Sequence, residues 1–288
     1  MFSGISRKQT GLFVGGLALT SVSWFLAWSR MPTVSEHSFL PLWLGYILTV
    51  NGLGEVLFKD SLLRRMRFDF LWLFAASVPF WWFFEYLNGI VKNWDYVFPR
   101  PISRLEFSIR ASIDFSTVIP AVLSTAFVFS CLMRRRSAVW KGRRIRIKTW
   151  HLVLSVLLGS SFFALLAVAP DLAFPLVWIA PILIIEPILY ALKEASLLKR
   201  VEQGHWLLPI SMMAAALFCG FWWELWNAYA LPKWVYSIPH VGFWKVFEMP
   251  ILGYLGYPFF GIIVYGYAAL FYRLIGKKSA AETVWPAR

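Results

Sequence analysis

Phe80-Trp81-Trp82-Phe83-Phe84-Glu85-Tyr86-Leu87-Asn88 and Phe221-Trp222-Trp223-Glu224-Leu225-Trp226-Asn227 are the two stretches that decide how this chain is read. Each closes a membrane-length apolar run with Glu-x-x-Asn. Each is then followed by Trp-x-Tyr-x-x-Pro: Trp94, Tyr96 and Pro99 after the first, Trp234, Tyr236 and Pro239 after the second. Ionisable groups inside hydrocarbon are expensive and usually face a bundle interior or a functional cavity. Two copies at matching places in two halves point to a duplicated unit with a site built between its copies.

The rest of the composition agrees with a membrane setting. The 288-residue chain is 59% hydrophobic, with a mean hydropathy of +0.62. Its apolar runs reach the roughly 20 residues that span the hydrocarbon core as helix, and helices satisfy their own backbone in lipid. The expected fold is all-α integral membrane, with eight transmembrane helices near 11–29, 39–58, 69–88, 113–133, 150–169, 174–192, 206–227 and 251–272. No loop is long enough to fold alone.

The net charge of +13 is no nucleic-acid signal, because its distribution accounts for it. With loops assigned alternately to two faces, one face carries 21 Lys/Arg and the other 7. That bias places both termini and the basic loops in the cytoplasm, and the reading is of a bacterial cytoplasmic (inner) membrane protein. The segment from Arg134 to Lys148 alone carries eight of those charges. It reads as a topology determinant drawn to anionic headgroups, or as a docking patch for a membrane-complex partner or a second copy. Cys131 and Cys219 fall in different spans with no metal spacing and no disulfide framework. The N-terminal run is basic then apolar, but bulky Trp24, Phe25, Leu26 and Trp28 stand where a cleavage site would need small residues, so it is kept as the first helix.

Aligning the halves gives a second match, Ser61-Leu62-Leu63-Arg64-Arg65 with Ser196-Leu197-Leu198-Lys199-Arg200. Four spans per half keep both copies in one orientation, so the expected symmetry is a parallel repeat about the membrane normal. The expected division is 1–133, a basic linker at 134–148, and 149–288. The outer loops 89–112 and 228–250 are rich in Trp, Tyr, Phe and Pro. They read either as an aromatic belt at headgroup level or as a lid over a lipidic cavity. Each carries one Glu shortly before the next span, Glu106 and Glu248.

Glu85 with Asn88, and Glu224 with Asn227, share a helical face at i, i+3. They are either structural bonds locking helix to loop or a substrate-facing acid with a polar anchor. Glu186, before Pro187, lies roughly 18 Å below the outer end of the sixth span at 1.5 Å per residue; the alignment sets Asn51 opposite it. A proline there frees a carbonyl and favours a kink, so Glu186 is a cavity liner, a relay or a structural group. Gly253 to Phe260, with Tyr254 and Tyr257, suits close packing or a pocket wall. His37, His151, His205 and His240 have no ligand spacing, which argues against di-iron and haem chemistry. There is no Walker motif, no G-x-S-x-G and no Asp-rich magnesium motif. No metal site and no cofactor is expected; carboxylate acid/base chemistry or plain binding remains.

In the order of these features the chain resembles the membrane-embedded lycopene cyclase domain family. That family also duplicates a small helical unit, with an intramembrane acid before a Trp-x-Tyr-like loop and a Pro/Glu motif leading into an aromatic helix. The matching positions are Glu224, Trp234, Tyr236, Glu248 and Pro250, with Glu85, Trp94, Tyr96 and Glu106 in the first half. The family's paired glutamates after proline are single here, and its units usually have three spans rather than four. The resemblance implies a related fold more than a shared activity. A shared activity would have Glu224 and Glu248, or Glu85 and Glu106, protonate and deprotonate a polyene in a cofactor-free isomerisation. The expected ligand is therefore an isoprenoid, carotenoid-like or other membrane lipid, contacted by Asn227, Asn88, Trp234, Tyr236, Trp94, Tyr96, Tyr254, Tyr257 and Glu186. A non-catalytic scaffold subunit and a transporter are the alternatives. The topology is checked by labelling Trp140→Cys and His240→Cys with an impermeant thiol reagent; the two are expected on opposite faces, and labelling from one face would overturn the assignment.

Overall fold

The structure, a computed structural model, describes residues 7–134 and 141–277. Among them eight helices are long and apolar enough to cross a membrane, which makes this a polytopic membrane-type helical protein. α1 (Arg7–Ser29) and α2 (Phe39–Phe58) are the first two. The third joins α3 (Leu62–Met66), a 3-10 turn at Arg67–Phe70 and α4 (Leu71–Val91); the fourth joins α5 (Arg104–Phe115) and α6 (Val118–Arg134). α7 (Thr149–Val168) is the fifth, and α8 (Pro170–Ala173) with a 3-10 turn and α9 (Ala180–Ala191) makes the sixth. α10 (Leu197–Glu202) leads to α11 (Leu207–Tyr229), and α12 (Gly256–Leu274) closes the bundle. The outer segments hold four short strands, β1 (Trp94–Val97), β2 (Lys233–Tyr236), β3 (Lys245–Val246) and β4 (Met249–Pro250). The basic residues 135 and 136, and the tail beyond Lys277, lie outside the described residues, as do the side chains of Arg7 and Lys8.

The fourth span departs from its expected limits of 113–133, because helix begins at Arg104. The Ser103 hydroxyl accepts from Glu106 N at 3.1 Å as an N-cap, and Glu106 pairs with Arg110 one turn on. The helix then breaks at Ser116–Thr117, where Pro120 cannot donate to Ser116 and its ring would clash there. Ser77 of α4 mends the gap. Its Oγ donates to Phe115 O at 2.6 Å and accepts from Ile119 N at 3.1 Å, inserting itself into one i→i−4 step. Pro187 in α9 is handled similarly. The carbonyl it leaves free, Leu183 O, accepts from Ser155 Oγ of α7 at 2.9 Å.

Lipid tails are as apolar as leucine, so helices associate through close packing and polar bonds rather than hydrophobic drive. α1 lies along α2 at a separation that only glycine permits. A Cβ on Gly16, Gly45 or Gly52 would stand 2.5 Å from Thr49 N, Thr20 N or the Phe13 backbone. α12 crosses α11 the same way, with a Cβ on Gly261 falling 2.3 Å from Met212 O.

The end of the bundle opposite β1 and β2 is tied by polar side chains. Asn51 Oδ1 accepts from Leu63 N at 2.8 Å, and Glu186 Oε2 accepts from Leu198 N at 3.1 Å and Ser196 Oγ at 2.8 Å. Ser61 and Ser196 cap α3 and α10, and Ser61 Oγ donates to Glu55 at 2.9 Å. Gly45→Leu is expected to cost about 1–3 kcal/mol as overpacking, lowering the Tm in detergent. Gly11→Leu, where a side chain meets open space, is expected to leave it unchanged, and equal Tm values for the two variants would contradict the α1–α2 packing.

Candidate functional site

α4 and α11 each end in Glu-x-x-Asn, and each is followed within a few residues by a strand. β1 and β2 pair antiparallel, with Trp94 opposite Tyr236 and Tyr96 opposite Trp234. The ladder extends to Ser237 N, which donates to Asn93 O at 2.9 Å. The two asparagines hold this ribbon to the helices. Asn88 Nδ2 donates to Trp94 O at 2.8 Å while its Oδ1 accepts from Asn93 N at 2.9 Å and Trp94 N at 3.1 Å. Asn227 Nδ2 donates to Trp234 O at 2.7 Å and its Oδ1 accepts from Trp234 N at 2.8 Å. An amide places its donor and its acceptor on separate atoms, so one side chain meets a residue's C=O and N–H at once.

The two glutamates one turn earlier are met by aromatic donors. Glu85 Oε1 accepts from Tyr96 Oη at 2.6 Å, Trp81 Nε1 at 3.0 Å and Trp94 Nε1 at 3.1 Å. Glu224, fully buried, accepts on Oε1 from Tyr236 Oη and Tyr257 Oη, each at 2.8 Å; its buried Oε2 has no hydrogen-bond partner among the described residues. Burial first, and then the facing carboxylate, pushes the Tyr96 and Tyr236 phenols well above their ordinary range, so both stay protonated donors. The other two glutamates are in ion pairs. Glu106 binds Arg100 and Arg110, and Glu248 binds Lys233. From the sequence Glu248 is expected within hydrogen-bonding or water-bridged reach of Glu224; it makes no direct hydrogen bond to it, though the charge of Glu248 acts on Glu224. Lys233, one residue before Trp234, captures Glu248 instead, while the Tyr236 and Tyr257 hydroxyls take up Glu224.

Beneath the ribbon lies a cavity of about 170 Å³. Trp94, Tyr96, Asn227, Trp234, Tyr236 and Tyr257 line it, so six of the residues singled out in the sequence converge there. Glu85 and Glu224 lie behind its tyrosines. Glu106, Glu248, Asn88 and Tyr254 are not on its wall, and Tyr254 instead donates to Val246 O at 3.1 Å. Glu186, at the other end of the bundle, belongs to the start of α10. A second cavity of about 280 Å³ shares Trp94, Trp178, Tyr236, Met249, Gly253 and Gly256 with the first, and Asn93 is the one other polar residue on its wall.

The wall also holds residues that the sequence did not mark as site members: Trp43, Glu36 and Asp114, with Trp223 and Trp226 of the second motif, and Arg110, which the sequence marks only as a cation able to neutralise the first copy's carboxylates. Arg110 forks onto Glu36, with both guanidinium nitrogens 2.9 Å from Oε2. A usable signal did exist, since Glu106, Arg110 and Asp114 recur at i, i+4 and i+8 on a single face once 104–115 is read as helix. Among the described residues no three His, Cys, Asp or Glu side chains gather as a metal site requires. No protein-family model, curated protein or solved structure matches the chain.

Asn227→Leu is expected to strand Trp234 N and O, at about 1–3 kcal/mol for each buried group left unmet, and Asn88→Leu to act in the same direction through Trp94. Thermal melting in detergent measures both. A wild-type Tm for the two variants would show that the asparagines do not hold the ribbon.

Proposed function

We propose that this is a duplicated eight-span membrane protein that holds an isoprenoid or other long apolar lipid in the cavity beneath β1 and β2. The duplication, with units 1–133 and 149–288 about a basic linker, is supported by bonds that recur at matching positions. Asn88 acts on Trp94 as Asn227 does on Trp234. Tyr96 meets Glu85 as Tyr236 meets Glu224. Leu63 is held by Asn51 as Leu198 is by Glu186. The β1–β2 register supports it too, since exchanging the two motif copies maps the Trp94–Tyr236 pair onto Tyr96–Trp234. The 21-to-7 charge split supports cytoplasmic termini and the cytoplasmic membrane of a bacterium.

The observation that carries the ligand reading is the cavity itself, walled by rings from helices of both units: Trp43, Trp81, Trp178, Trp223, Trp226 and Phe260. Small-molecule sites are concave and mostly apolar, with a few placed polar groups, and an apolar space beside lipid suits a lipid. No observation favours a transporter or a scaffold over this reading.

One arrangement favours chemistry as a second reading. Tyr236 and Tyr257 stand on the wall and both donate to Glu224, while Tyr96 stands on the wall and donates to Glu85. With its glutamic acid protonated, one Tyr–Glu pair can relay that proton through the phenol to a polyene carbon, leaving a carboxylate behind, and the second pair, its glutamate ionised, can take through its phenol the proton lost from another carbon. That is an acid/base isomerisation or cyclisation of the lycopene cyclase type, with tyrosines as the contacting groups.

Ala111 lines the cavity and is buried, so Ala111→Trp should fill it. Mass spectrometry of organic extracts is expected to find a lipid retained by the wild type and missing from the variant at equal yield of folded protein. Identical extracts from both would defeat the binding reading. If the isomerase reading holds, Glu224→Gln keeps the lipid but leaves it unconverted.

A further inference from the structure

We infer that the lipid held in this cavity carries a cationic ammonium headgroup, and that Asp114 is its counter-ion. The inference rests on the binding reading above and adds the class of headgroup. Four charged side chains line the cavity: Glu36, Arg110, Asp114 and Lys233. Three are already engaged by other protein groups. Arg110 spends both terminal nitrogens on Glu36 Oε2 at 2.9 Å, one of them also on Glu106 at 3.0 Å and the other on Glu36 O at 2.9 Å. Lys233 is ion-paired with Glu248. The lining hydroxyls of Tyr96, Tyr236 and Tyr257 are donated to Glu85 and Glu224.

Asp114 differs. It stands on the last turn of α5, partly buried, on the same wall as Ala111, Phe115 and Val118. No side chain among the described residues donates a hydrogen bond to its carboxylate. Arg110, one turn earlier, is its nearest formal positive charge along the helix, and that guanidinium is occupied. Arg110 still acts on Asp114 through its charge, but a carboxylate facing an apolar space with no hydrogen-bond donor of its own is costly unless a complementary charge arrives. An anionic or phosphate head would meet Asp114 with its potential counter-cations already taken.

The surrounding rings point the same way. Cations are attracted to the faces of Trp, Tyr and Phe, and an aromatic cage beside a carboxylate is the usual setting for a quaternary ammonium. Seven tryptophans line this cavity, with Trp81 packed against Phe115 at 5.8 Å, next to Asp114 in sequence. The second cavity carries no charged residue on its wall and is continuous in its lining with the first through Trp94, Trp178, Tyr236 and Met249. The head therefore sits at Asp114 and the chain runs past β1 and β2 into the second space.

The test uses purified full-length protein in a neutral maltoside detergent, titrated with three probes that share one chain: decyltrimethylammonium, decanol and decyl sulfate. Binding is read by tryptophan fluorescence and calorimetry. The wild type is expected to bind decyltrimethylammonium roughly tenfold or more tightly than decanol, and Asp114→Asn to erase that preference while leaving decanol binding unchanged. Equal affinity for the cation and the alcohol, tightest binding of decyl sulfate, or a preference that survives Asp114→Asn would overturn the headgroup assignment with the binding reading intact. Failure of all three probes to bind the wild type would instead remove the binding reading itself. The wild-type comparison stands alone if Asp114→Asn does not fold.

Discussion

Every backbone N–H and C=O that a chain frees inside a low-dielectric medium must find a partner, and the places where this protein leaves regular helix are organised by that requirement. Asn88 and Asn227 satisfy Trp94 of β1 and Trp234 of β2, Ser77 bridges the step that α5 and α6 lose, and Ser155 takes up the carbonyl left by Pro187. Glu186 and Asn51 do the same at the other end for Leu198 and Leu63. Each is a short polar side chain sent from one helix to a backbone break nearby. Two of these places border the cavity, whose wall includes Trp94 and Trp234 of the ribbon and Phe115 and Val118 on either side of the α5–α6 step.

The same constraint sorts the glutamates. A carboxylate taken out of water is stabilised by donors around it, and the four acids of the two motif copies, Glu224 buried and the other three partly buried, meet theirs differently. Glu85 collects one phenol and two indoles, Glu224 two phenols, Glu106 two arginines and Glu248 one lysine. Those with aromatic donors lie directly behind the cavity, and those with cationic donors lie off its wall. A functional role for Glu85 or Glu224 would therefore act through tyrosine. Asp114 and Glu36 are the acids on the wall itself, and Glu36 alone has a guanidinium at hydrogen-bonding distance.

Much of this architecture was legible from residue order. Eight apolar runs announce eight spans because hydrocarbon thickness sets a length that few soluble helices match. The recurrence of Glu-x-x-Asn and Trp-x-Tyr-x-x-Pro announced where polar atoms would concentrate, and six of the residues named for that reason meet on one cavity wall. The pairing of Asn51 with Glu186 was visible as an alignment offset before either was seen to accept from the matching leucine amide.

Other features depended on distances that sequence does not encode. The run 89–112 looked like loop because Arg104, Glu106 and Arg110 break its hydropathy, yet a Ser103 cap and an i, i+4 ion pair make helix from Arg104 onward. Glu36 sits in a polar Ser-Glu-His turn that reads as surface; only the approach of α5 brings Arg110 to it. Glu248 and Glu224 take their hydrogen-bonding partners separately, a lysine for one and two tyrosines for the other, which motif order does not reveal. Local propensity and periodicity determined the spans and the motifs, because both act over a few residues of one chain segment. Which donor meets which acid, and which carboxylate is left without one, was decided by tertiary structure, because rival donors from four residues away, as Trp81 is from Glu85, to 74 away, as Arg110 is from Glu36, are selected by ångström-scale packing of helices and loops.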